Sequence, residues 1–511
     1  MKLIHSVIFM SLLTGILSAA QPAVYGTKGV VVAHTQQACD AGIEILQAGG
    51  NAIDAAVAVS YALAVTHPQA GNIGGGGFMM IQMADGRKAA LDYREMAPGN
   101  ASSDMFLDDS GQVAPGKSVR GGLAVGVPGT VAGLQLALDK YGSLSRKKVM
   151  KPAIRLAQKG FEIPYHLAYS FGWLNQSAEG FDETRRIFCR NGELYNPGDV
   201  FKQPDLAKTL KLIQKQGNAG FYSGKVAEAL VKSNLKHGGT ISLKDLENYK
   251  PVIRKPVTGN YRGIEILSMP PPSSGGIALI SMLNMLEPLR FDSIGWHSAQ
   301  HIQMLSEVEK RAYADRSVWL ADPDYFEVPQ DKLLSKAYAK YRMADYDSLT
   351  ITPSDSIYPL NDKDLESIEI VGHESEETTH FSVVDQWGNA VSVTTTLNWS
   401  FGSYVTVEGF GFLLNNEMDD FSSKPGEPNS FGLIGNAANA IEPGKRMLSS
   451  MTPTILSKDG KVLVVLGAPG GSTIITTVLQ IISNLVDFGM PLQDAVNAPR
   501  LHHQWQPDVI Q

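Results

Sequence analysis

Two threonines, Thr378 and Thr379, stand where a polar, acidic stretch changes into a pattern typical of β-strands. The stretch begins at Gly372 and reads GHESEETTHFSVVDQWGNAVSVTTTLNWSFGS. A threonine hydroxyl becomes a useful nucleophile only when a base lies beside it. The boundary therefore raises the hypothesis that one of these threonines has a chemical role. The alternative is that threonine is frequent here simply because it favours strands.

A hairpin register can be tested from the pattern alone. With a three-residue turn at Gln386-Trp387-Gly388, apolar residues face apolar residues and polar residues face polar ones along both strands. A slip of one residue would mix the two faces. This register predicts that Thr378 lies across from Thr396, with Cβ atoms about 5 Å apart. Asn398 follows on the same face.

Glycines that could stabilise negative charge lie in VLVVLGAPGGSTIITTVLQIISNLVDFG. The pattern predicts a buried strand, a turn and an apolar helix, with Gly470 and Gly471 just before the helix. Backbone N–H groups in such a turn can converge on a developing oxyanion. A tight turn without a chemical role is the alternative.

Carboxylates cluster in FLLNNEMDDF, where Glu417, Asp419 and Asp420 follow a predicted strand. Paired carboxylates suit acid–base work or recognition of an ammonium group. A solvated turn would explain the same composition.

Three further polar residues flank predicted strands. Arg94 follows a strand in LDYREMAP, and its guanidinium could hold a carboxylate through two hydrogen bonds. A structural salt bridge is the alternative. Ser449 and Ser450 precede a strand in GKRMLSSMTPTIL.

Rival motifs are weak. The chain contains no GxSxG elbow, and the SxxK match at Ser145 lacks its usual partner motifs. The glycine-rich stretch THPQAGNIGGGGFMM lacks the lysine of a phosphate-binding loop. No HExxH or CxxC motif is present, so we expect neither a metal nor a cofactor.

Several elements must position these residues. Two helices are predicted between positions 34 and 65, the first capped by Thr35 and ended by Gly49-Gly50, the second capped by Asn51. A glycine-rich loop then enters a strand, and positions 121–340 are mainly helical by pattern. YRGIEILSMPPPSSGG predicts a strand followed by a stiff proline turn.

Composition limits the classes of function. The chain has 511 residues, is 43% hydrophobic and carries a net charge of -7, so a large core is expected and nucleic-acid binding is not. Positions 344–377 hold ten acidic residues and one basic residue. We interpret them as an exposed, mobile segment that ends at Glu377-Thr378.

The N-terminus predicts export. Val7 to Leu17 is an apolar stretch of signal-peptide length, and Ser18-Ala19-Ala20 offers a cleavage site after residue 20. A buried N-terminal helix is the alternative. The mature protein is then expected to be soluble and periplasmic or secreted. Cys39 and Cys189 could form a disulfide there, although a buried free thiol suits Cys39 equally well.

Together these stretches resemble the γ-glutamyltranspeptidase family. The matching segments include GGNAIDAAVAVSYALAVTHPQAGNIGGGGFM, DYREMAP, GVPGTVAGLQLALDKYG, TTHFSVVDQWGNAVSVTTTLN, LSSMTPTI and APGGS, and the likeness covers nearly all of positions 24–511. The resemblance implies an α+β fold, the four-layer αββα sandwich of N-terminal-nucleophile hydrolases. It also implies a precursor that cuts itself between Glu377 and Thr378. The products would be a large subunit, 21–377, and a small catalytic subunit, 378–511, which stay together as a heterodimer.

The resemblance further implies roles for the reacting groups. Thr378 would be the nucleophile, and its freed α-amino group, with an ordinary pKa of about 7.7–8.0, would be the base. Thr396 would support the Thr378 hydroxyl, and Gly470 and Gly471 would hold the oxyanion. The donor would be glutathione or another γ-glutamyl compound, and the acceptor water, an amino acid or a dipeptide.

Substrate-binding residues follow from the same likeness. One set would hold the α-carboxylate of the donor: Arg94, Ser449 and Ser450. A second set would hold its α-ammonium group: Asn398, Glu417 and Asp420. A related acylase acting on β-lactam side chains and an unprocessed, ligand-binding relative are the alternatives.

Two features differ from the family pattern. Phe431 stands where many bacterial members have a tyrosine, and phenylalanine lacks the hydroxyl that would latch a lid to Asn398. A looser lid is therefore expected. The sequence also stops at HHQWQPDVIQ, whereas family members continue into further strands. We therefore expect a small subunit that is truncated at its C-terminus.

Overall fold

A computed structural model describes residues 23–291, 293–359 and 378–511. The predicted signal peptide, the predicted cleavage residue Glu377 and most of the predicted acidic mobile segment lie outside these described residues.

The β-strands form two larger antiparallel sheets and one small one. The first sheet has the order β1-β9-β10-β2-β3-β6, the second has the order β12-β11-β8-β7, and β4 pairs with β5. The strands are β1 (Gly29–Val32), β2 (Gly76–Gln82), β3 (Lys88–Asp92), β4 (Phe161–Glu162), β5 (Val200–Phe201), β6 (Val252–Arg254), β7 (Val257–Tyr261), β8 (Ile264–Ser268), β9 (Thr378–Asp385), β10 (Ala390–Thr396), β11 (Thr454–Lys458) and β12 (Lys461–Leu466).

Most of the helices precede position 378 in the sequence. They are α1 (Gln36–Gln47), α2 (Ala52–Thr66), α3 (Thr130–Tyr141), α4 (Arg146–Val149), α5 (Lys151–Lys159), α6 (Tyr165–Ser177), α7 (Asp182–Phe188), α8 (Pro204–Gln216), α9 (Ala219–Tyr222), α10 (Gly224–Lys236), α11 (Leu243–Asn248), α12 (Gly275–Leu286), α13 (Ala299–Trp319), α14 (Gln330–Leu333), α15 (Lys336–Arg342), α16 (Ile474–Val486) and α17 (Leu492–Asn497). None of the helices in these residues is long and apolar enough to cross a membrane.

Four layers are stacked, with helices outside and the two larger sheets inside. One apolar core joins α2 to the first sheet, and another joins α12, α13 and α16 to the second sheet. A third core fills the space between the sheets and includes Phe78, Met80, Leu267 and Ile455. Each sheet is thus covered on both faces, which buries apolar side chains from every layer.

The predicted helix pair is confirmed. The Thr35 hydroxyl accepts a hydrogen bond from the N–H of Ala38 at the start of α1. Asn51 and Asp54 form a reciprocal capping box at the start of α2. Every residue of α2 is buried, so this helix forms the centre of the outer layer against β9 and β10.

The predicted hairpin register is also confirmed. Strands β9 and β10 pair from Val384 with Ala390 to Thr378 with Thr396. Asp385 fixes the turn, because its carboxylate accepts hydrogen bonds from the N–H groups of Trp387 and Asn389. Since side chains alternate along a strand, the register decides which face each threonine occupies.

That alternation separates the two threonines. Phe381 and Val383 point into the core shared with the helices, whereas the Ser382 hydroxyl donates to the carbonyl of Val465 in the second sheet. By the same parity Thr378 faces the second sheet and Thr379 faces the helices.

The glycine-rich loop before β2 is a site of close backbone packing, in keeping with its lack of a phosphate-binding lysine. A Cβ atom on Gly75 would lie 2.2 Å from the carbonyl oxygen of Thr396, and one on Gly74 would lie 2.0 Å from that of Leu413. Side chains there would push away the end of β10, where Thr396 sits.

Two strand predictions need correction. Strand β12 was expected to be buried, but it is an edge strand and Leu463 is 53% exposed. The segment before Glu417 was expected to be a strand, yet it makes only an isolated bridge between Thr406 and Leu413. Apolar runs of this length do not by themselves distinguish these environments. Both cysteines are free thiols.

Candidate active site

The centre of the site is the open end of the β9–β10 hairpin. The Oγ atoms of Thr378 and Thr396 lie 3.5 Å apart, and both residues are buried. The Thr396 oxygen accepts a hydrogen bond of 2.7 Å from the N–H of Asn398. Asn398 has a φ of +77°, a conformation that non-glycine residues rarely adopt outside functional sites and turns. The chain therefore bends sharply at Asn398, which brings the backbone N–H of Asn398 back to the Thr396 hydroxyl.

The acidic residues lie on a short 3-10 helix, Glu417–Asp420. Met418 and Phe421 anchor this turn in a small apolar cluster with Phe106 and Met447. Because these apolar residues point into the cluster, Glu417 and Asp420 are turned toward Arg94 on the opposite side.

Arg94 follows β3 and is fully buried. Its Nη1 donates to Glu417 and its Nη2 to Asp420, while carbonyl oxygens of Met447 and Leu448 accept further hydrogen bonds at 3.3 and 3.2 Å. Two separate charged clamps were expected from the sequence. The structure instead joins them in one ion-pair cluster, because a buried charge without a partner is costly.

A third carboxyl group, Glu95, lies behind this cluster. It is fully buried, and neither of its oxygens accepts a hydrogen bond from a described residue. Burial raises its pKa to about 7, although Arg94 Nη1 is only 3.7 Å from Glu95 Oε2. Burial also raises the pKa of Glu417 and of Asp420, against the opposing effect of Arg94. Charge on these carboxyl groups therefore depends on the guanidinium among them.

Asp419 points away from Arg94. It accepts hydrogen bonds from the hydroxyls of Ser118, at 2.6 Å, and of Ser430. Burial raises its pKa to about 6, although these hydroxyls favour the charged form. Asp419 thus binds the loop that contains Phe431 and leaves the charged cluster to its neighbour, Asp420.

This loop, residues 424–435, covers the site. The Phe431 ring lies so close to Gly471 that a Cβ there would be 2.8 Å from the ring. Trp399 Nε1 donates to Ser430 Oγ at 3.1 Å, and Gln504 donates to the carbonyl of Phe431 at 3.2 Å. The loop is therefore tied through Ser430 and the backbone, without a hydroxyl at position 431.

The two predicted oxyanion glycines begin a helix, as expected. A 3-10 turn, Gly471–Thr473, leads into α16, and Gly470 and Gly471 have φ values of +125° and +52°. Among the described residues, neither of their N–H groups donates a hydrogen bond to the protein. Two backbone donors are thus available at the start of this helix.

Ser449 and Ser450 are held by the proline turn after β8. The Ser449 N–H donates to the carbonyl of Pro272 at 2.9 Å, and the Ser274 N–H donates to the carbonyl of Ser449 at 2.7 Å. The predicted strand after these serines is β11.

One narrow cavity of about 20 Å³ brings most of the predicted residues together. This volume is roughly what one water molecule needs. The predicted residues around it are Arg94, Thr378, Thr396, Asn398, Glu417, Asp420, Phe431, Ser449, Ser450 and Gly471. Gly470 instead lines a neighbouring cavity of about 420 Å³ with Arg500 and His502.

Several contributors to the site were not predicted from the sequence. Met451, Leu433, Ser472 and Ile474 also line the small cavity. Glu95 could have been noticed because it follows Arg94 directly in the sequence. The other four carry no local signal, since only tertiary packing brings them here.

Chemically, the arrangement suits acyl transfer to a hydroxyl. A threonine hydroxyl lies beside a second hydroxyl, and opposite charges line one wall of the small cavity. The N–H of Gly471, which donates to no described residue, lies at the same cavity, and Gly470 directly precedes it. Such donors stabilise the negative charge that develops when a hydroxyl attacks a carbonyl. The paired charges match a ligand that carries both a carboxylate and an ammonium group.

Comparison with known proteins gives a consistent result. A family model described as Gamma-glutamyltranspeptidase matches residues 38–511. Over 486 residues the chain is 49% identical to the glutathione hydrolase proenzyme of Escherichia coli strain K12, covering 94% of this chain and 82% of that protein.

Solved structures are similar as well. The crystal structure of Helicobacter pylori gamma-glutamyltranspeptidase matches with a TM-score of 0.65 and 45% identity, over 66% of this chain and 97% of that one. Cephalosporin acylase from Bacillus halodurans matches with a TM-score of 0.81 and 26% identity, over 95% of this chain and 85% of that one. Together with the two sheets between helices, these matches confirm the predicted α+β, αββα fold.

Proposed function

The chain belongs to the gamma-glutamyltranspeptidase family, and from this premise we propose which residues carry out its reaction. It is a self-processing enzyme that cleaves γ-glutamyl amides, glutathione among them, and passes the γ-glutamyl group to an acceptor. The single observation that carries the assignment of residues is the position of Thr378, beside Thr396 and at the wall that holds Arg94 and Asp420.

Maturation begins at the peptide bond between Glu377 and Thr378. The Thr378 hydroxyl attacks the Glu377 carbonyl, the C–N bond breaks, and the acyl group moves to the hydroxyl oxygen as an ester. This acyl shift frees the α-amino group of Thr378. Water then hydrolyses the ester, which releases the Glu377 carboxylate and restores the Thr378 hydroxyl. The resulting chains are 21–377 and 378–511. The burial of Thr378 at the first position of β9 supports this, because the Thr378 hydroxyl and backbone nitrogen are then both held at the site.

In turnover the α-amino group of Thr378 takes the proton of its own hydroxyl. The oxygen attacks the γ-carbonyl of the donor, and the same amino group returns the proton to the leaving amine. The N–H groups of Gly471 and Gly470 hold the oxyanion. Water, an amino acid or a dipeptide then attacks the γ-glutamyl ester and restores Thr378.

Donor binding exchanges partners within the charged cluster. The α-carboxylate of the donor binds Arg94, Ser449 and Ser450, and its α-ammonium group binds Asp420, Glu417 and Asn398. The existing pairs of Arg94 with Glu417 and Asp420 support this exchange, since each charged group of the donor replaces one partner of a pair already formed. A β-lactam side-chain acylase would not need this set of charges, and the cluster therefore favours the γ-glutamyl donor.

We also propose that the mature enzyme is exported to the periplasm or secreted. The apolar stretch and the small residues up to Ala20 support this. Sequencing the N-terminus of the large chain checks it, and a chain that begins at Gln21 is expected.

A γ-glutamyl anilide tests the function. The purified protein should release the chromophore, and a dipeptide acceptor should raise the rate of release if transfer competes with hydrolysis. A Thr378→Ala variant, purified in parallel, provides the background. A parent protein that releases no more chromophore than this variant would contradict the proposed function.

A further inference from the structure

Arg316 lies in the last turn of α13, directly behind the two serines of the site. Its side chain is buried, and among the described residues no carboxylate oxygen lies within 4.0 Å of it. Its Nε donates to Ser274 Oγ at 3.0 Å, and its Nη2 donates to Ser450 Oγ at 3.3 Å. A buried positive charge thus binds neutral hydroxyls, an arrangement that needs an explanation.

The direction of these hydrogen bonds is informative. A guanidinium only donates, so the oxygen of Ser450 must accept and its own hydrogen points elsewhere. The Ser449 oxygen likewise accepts from the N–H of Met451 at 3.1 Å. Neither serine hydroxyl donates to a described residue, and both line the cavity beside Thr378. Both hydroxyl hydrogens are therefore available to an acceptor in the cavity.

Ser274 extends this connection to Ser449. Its hydroxyl accepts from Arg316 Nε and donates to the carbonyl oxygen of Ser449 at 2.7 Å. Arg316 thus holds one serine directly and the backbone of the other through Ser274. The proline turn after β8, which the assigned chemistry does not otherwise use, provides this intermediate.

Charge adds a second reason. Arg94, the other guanidinium of the site, is already paired with Glu417 and Asp420. Arg316 has its positive charge behind Ser450, with Asp420 acting on it only at longer range. Because the Arg316 guanidinium that donates to Ser450 Oγ is charged, it also makes the Ser450 hydroxyl a stronger hydrogen-bond donor toward an anion.

We propose that Arg316 is a positioning residue that holds Ser450, and through Ser274 also Ser449, as hydrogen-bond donors to the α-carboxylate of the donor. It thereby determines selectivity for donors that carry this carboxylate. The inference rests on the proposed function, in which the two serines bind that group.

The experiment compares two donors that differ only at this group: a γ-glutamyl anilide and its analogue with an α-carboxamide. For the parent, Arg316→Gln and Arg316→Lys, kcat/KM is measured with both donors. Loss of one hydrogen bond to a charged group should lower the preference for the carboxylate donor about 10- to 100-fold in Arg316→Gln, mainly through KM. Arg316→Lys, which keeps the charge, should recover part of it.

A double variant separates this role from general damage. In a Ser450→Ala background, Arg316→Gln should change the preference less than about 3-fold, because residues that act as a unit are not additive. An equal fall in kcat/KM for both donors in Arg316→Gln would overturn the proposal. If Arg316→Gln does not mature, Arg316→Lys is judged in the same way, and failure of both assigns Arg316 to the fold and overturns the proposal.

The two proposals fail differently. A parent inactive on both donors contradicts the proposed function. Calorimetric binding of L-glutamate and of its α-carboxamide to the parent and to Arg316→Gln then decides the role of Arg316, and an equal loss of affinity for both ligands overturns it. A parent that is active, but whose donor preference is unchanged in Arg316→Gln, contradicts only the role of Arg316.

Discussion

Thr378 and Thr396 face each other at the paired ends of β9 and β10, with their Oγ atoms 3.5 Å apart. The Thr396 oxygen is fixed by the N–H of Asn398. Two hydroxyls on neighbouring strands therefore lie side by side, and the backbone of the hairpin sets the distance between them.

The first prediction concerns Thr396. Thr396→Val keeps the shape of the side chain but removes the hydroxyl, so it should lower kcat on a γ-glutamyl anilide about 10- to 100-fold, the effect of one lost hydrogen bond in a buried site. The kcat of Thr396→Ser, which keeps the hydroxyl and its hydrogen bond, should remain within about 3-fold of the parent value. Equal losses in both variants would argue against a role for the hydroxyl.

The second prediction concerns the cut. Intact mass of the parent should give two chains separated before Thr378, and Thr378→Ala should give one. Thr379→Ala is the matched control, because Thr379 is the adjacent buried threonine on the opposite face of β9. This control should still be cut, and an uncut Thr379→Ala protein would show that damage to the hairpin is enough to stop maturation.

The third prediction compares adjacent carboxylates. Asp420→Asn removes a charged partner of Arg94 and should lower kcat/KM for a γ-glutamyl anilide about 100-fold or more, since breaking a buried ion pair costs about 3–5 kcal/mol. Asp419→Asn affects hydrogen bonds to Ser118 and Ser430 instead and should leave the donor KM within about 3-fold. Steady-state kinetics of both variants checks this, and similar KM values for the two would contradict separate roles.

The fourth prediction concerns pH. Burial raises the pKa of the Glu95 carboxyl group from its ordinary value of 4.5, kept in the unfolded chain, to about 7 in the folded protein. Between these values the folded state binds more protons, so stability falls as pH rises through this window, by roughly 3 kcal/mol at 1.36 kcal/mol per unit.

Glu95→Gln should remove this dependence, because the amide does not titrate. Melting temperatures of the uncut Thr378→Ala chain, with and without Glu95→Gln, are compared at pH 5 and pH 8. From pH 5 to pH 8 the melting temperature of the chain that keeps Glu95 should fall further than that of the chain with Glu95→Gln. The difference between the two chains should therefore change with pH, and parallel curves would contradict a proton held at Glu95.

The fifth prediction concerns the covering loop. Ser430→Ala removes the hydroxyl that accepts from Trp399 and donates to Asp419. It should make residues 424–435 about 30-fold more sensitive to limited proteolysis, because two hydrogen bonds of about 1 kcal/mol each are lost. Ser423→Ala is the control, because the Ser423 hydroxyl makes no hydrogen bond with a described residue. Equal cleavage rates in the two variants would exclude Ser430 as the tie.

Much of the hairpin could be predicted from sequence because its determinants are local. The turn at 386–388 and the alternation along both strands specify the register, and the caps of α1 and α2 are equally local signals. Exposure of β12 was mispredicted, because an apolar run does not reveal whether a strand lies at the edge of its sheet.

The sequence indicated which residues form the charged cluster, but not how they are arranged. Family resemblance identified Arg94 and Asp420, but only the fold shows that they are bonded to each other. Arg316 had no sequence signal at all, since its partners Ser274 and Ser450 lie far away in the chain. Such contacts depend on how helices pack on sheets, which no local pattern encodes.

The order of the first sheet has a consequence for the origin of each mature molecule. Strands β9 and β10 lie between β1 and β2 in the sheet. After the cut, backbone hydrogen bonds between β1 and β9 and between β10 and β2 therefore still join the two chains. Neither chain can leave without opening that sheet. Every active molecule should therefore keep both halves of a single translation product, and cells that make two distinguishable variants should contain no mixed pairs.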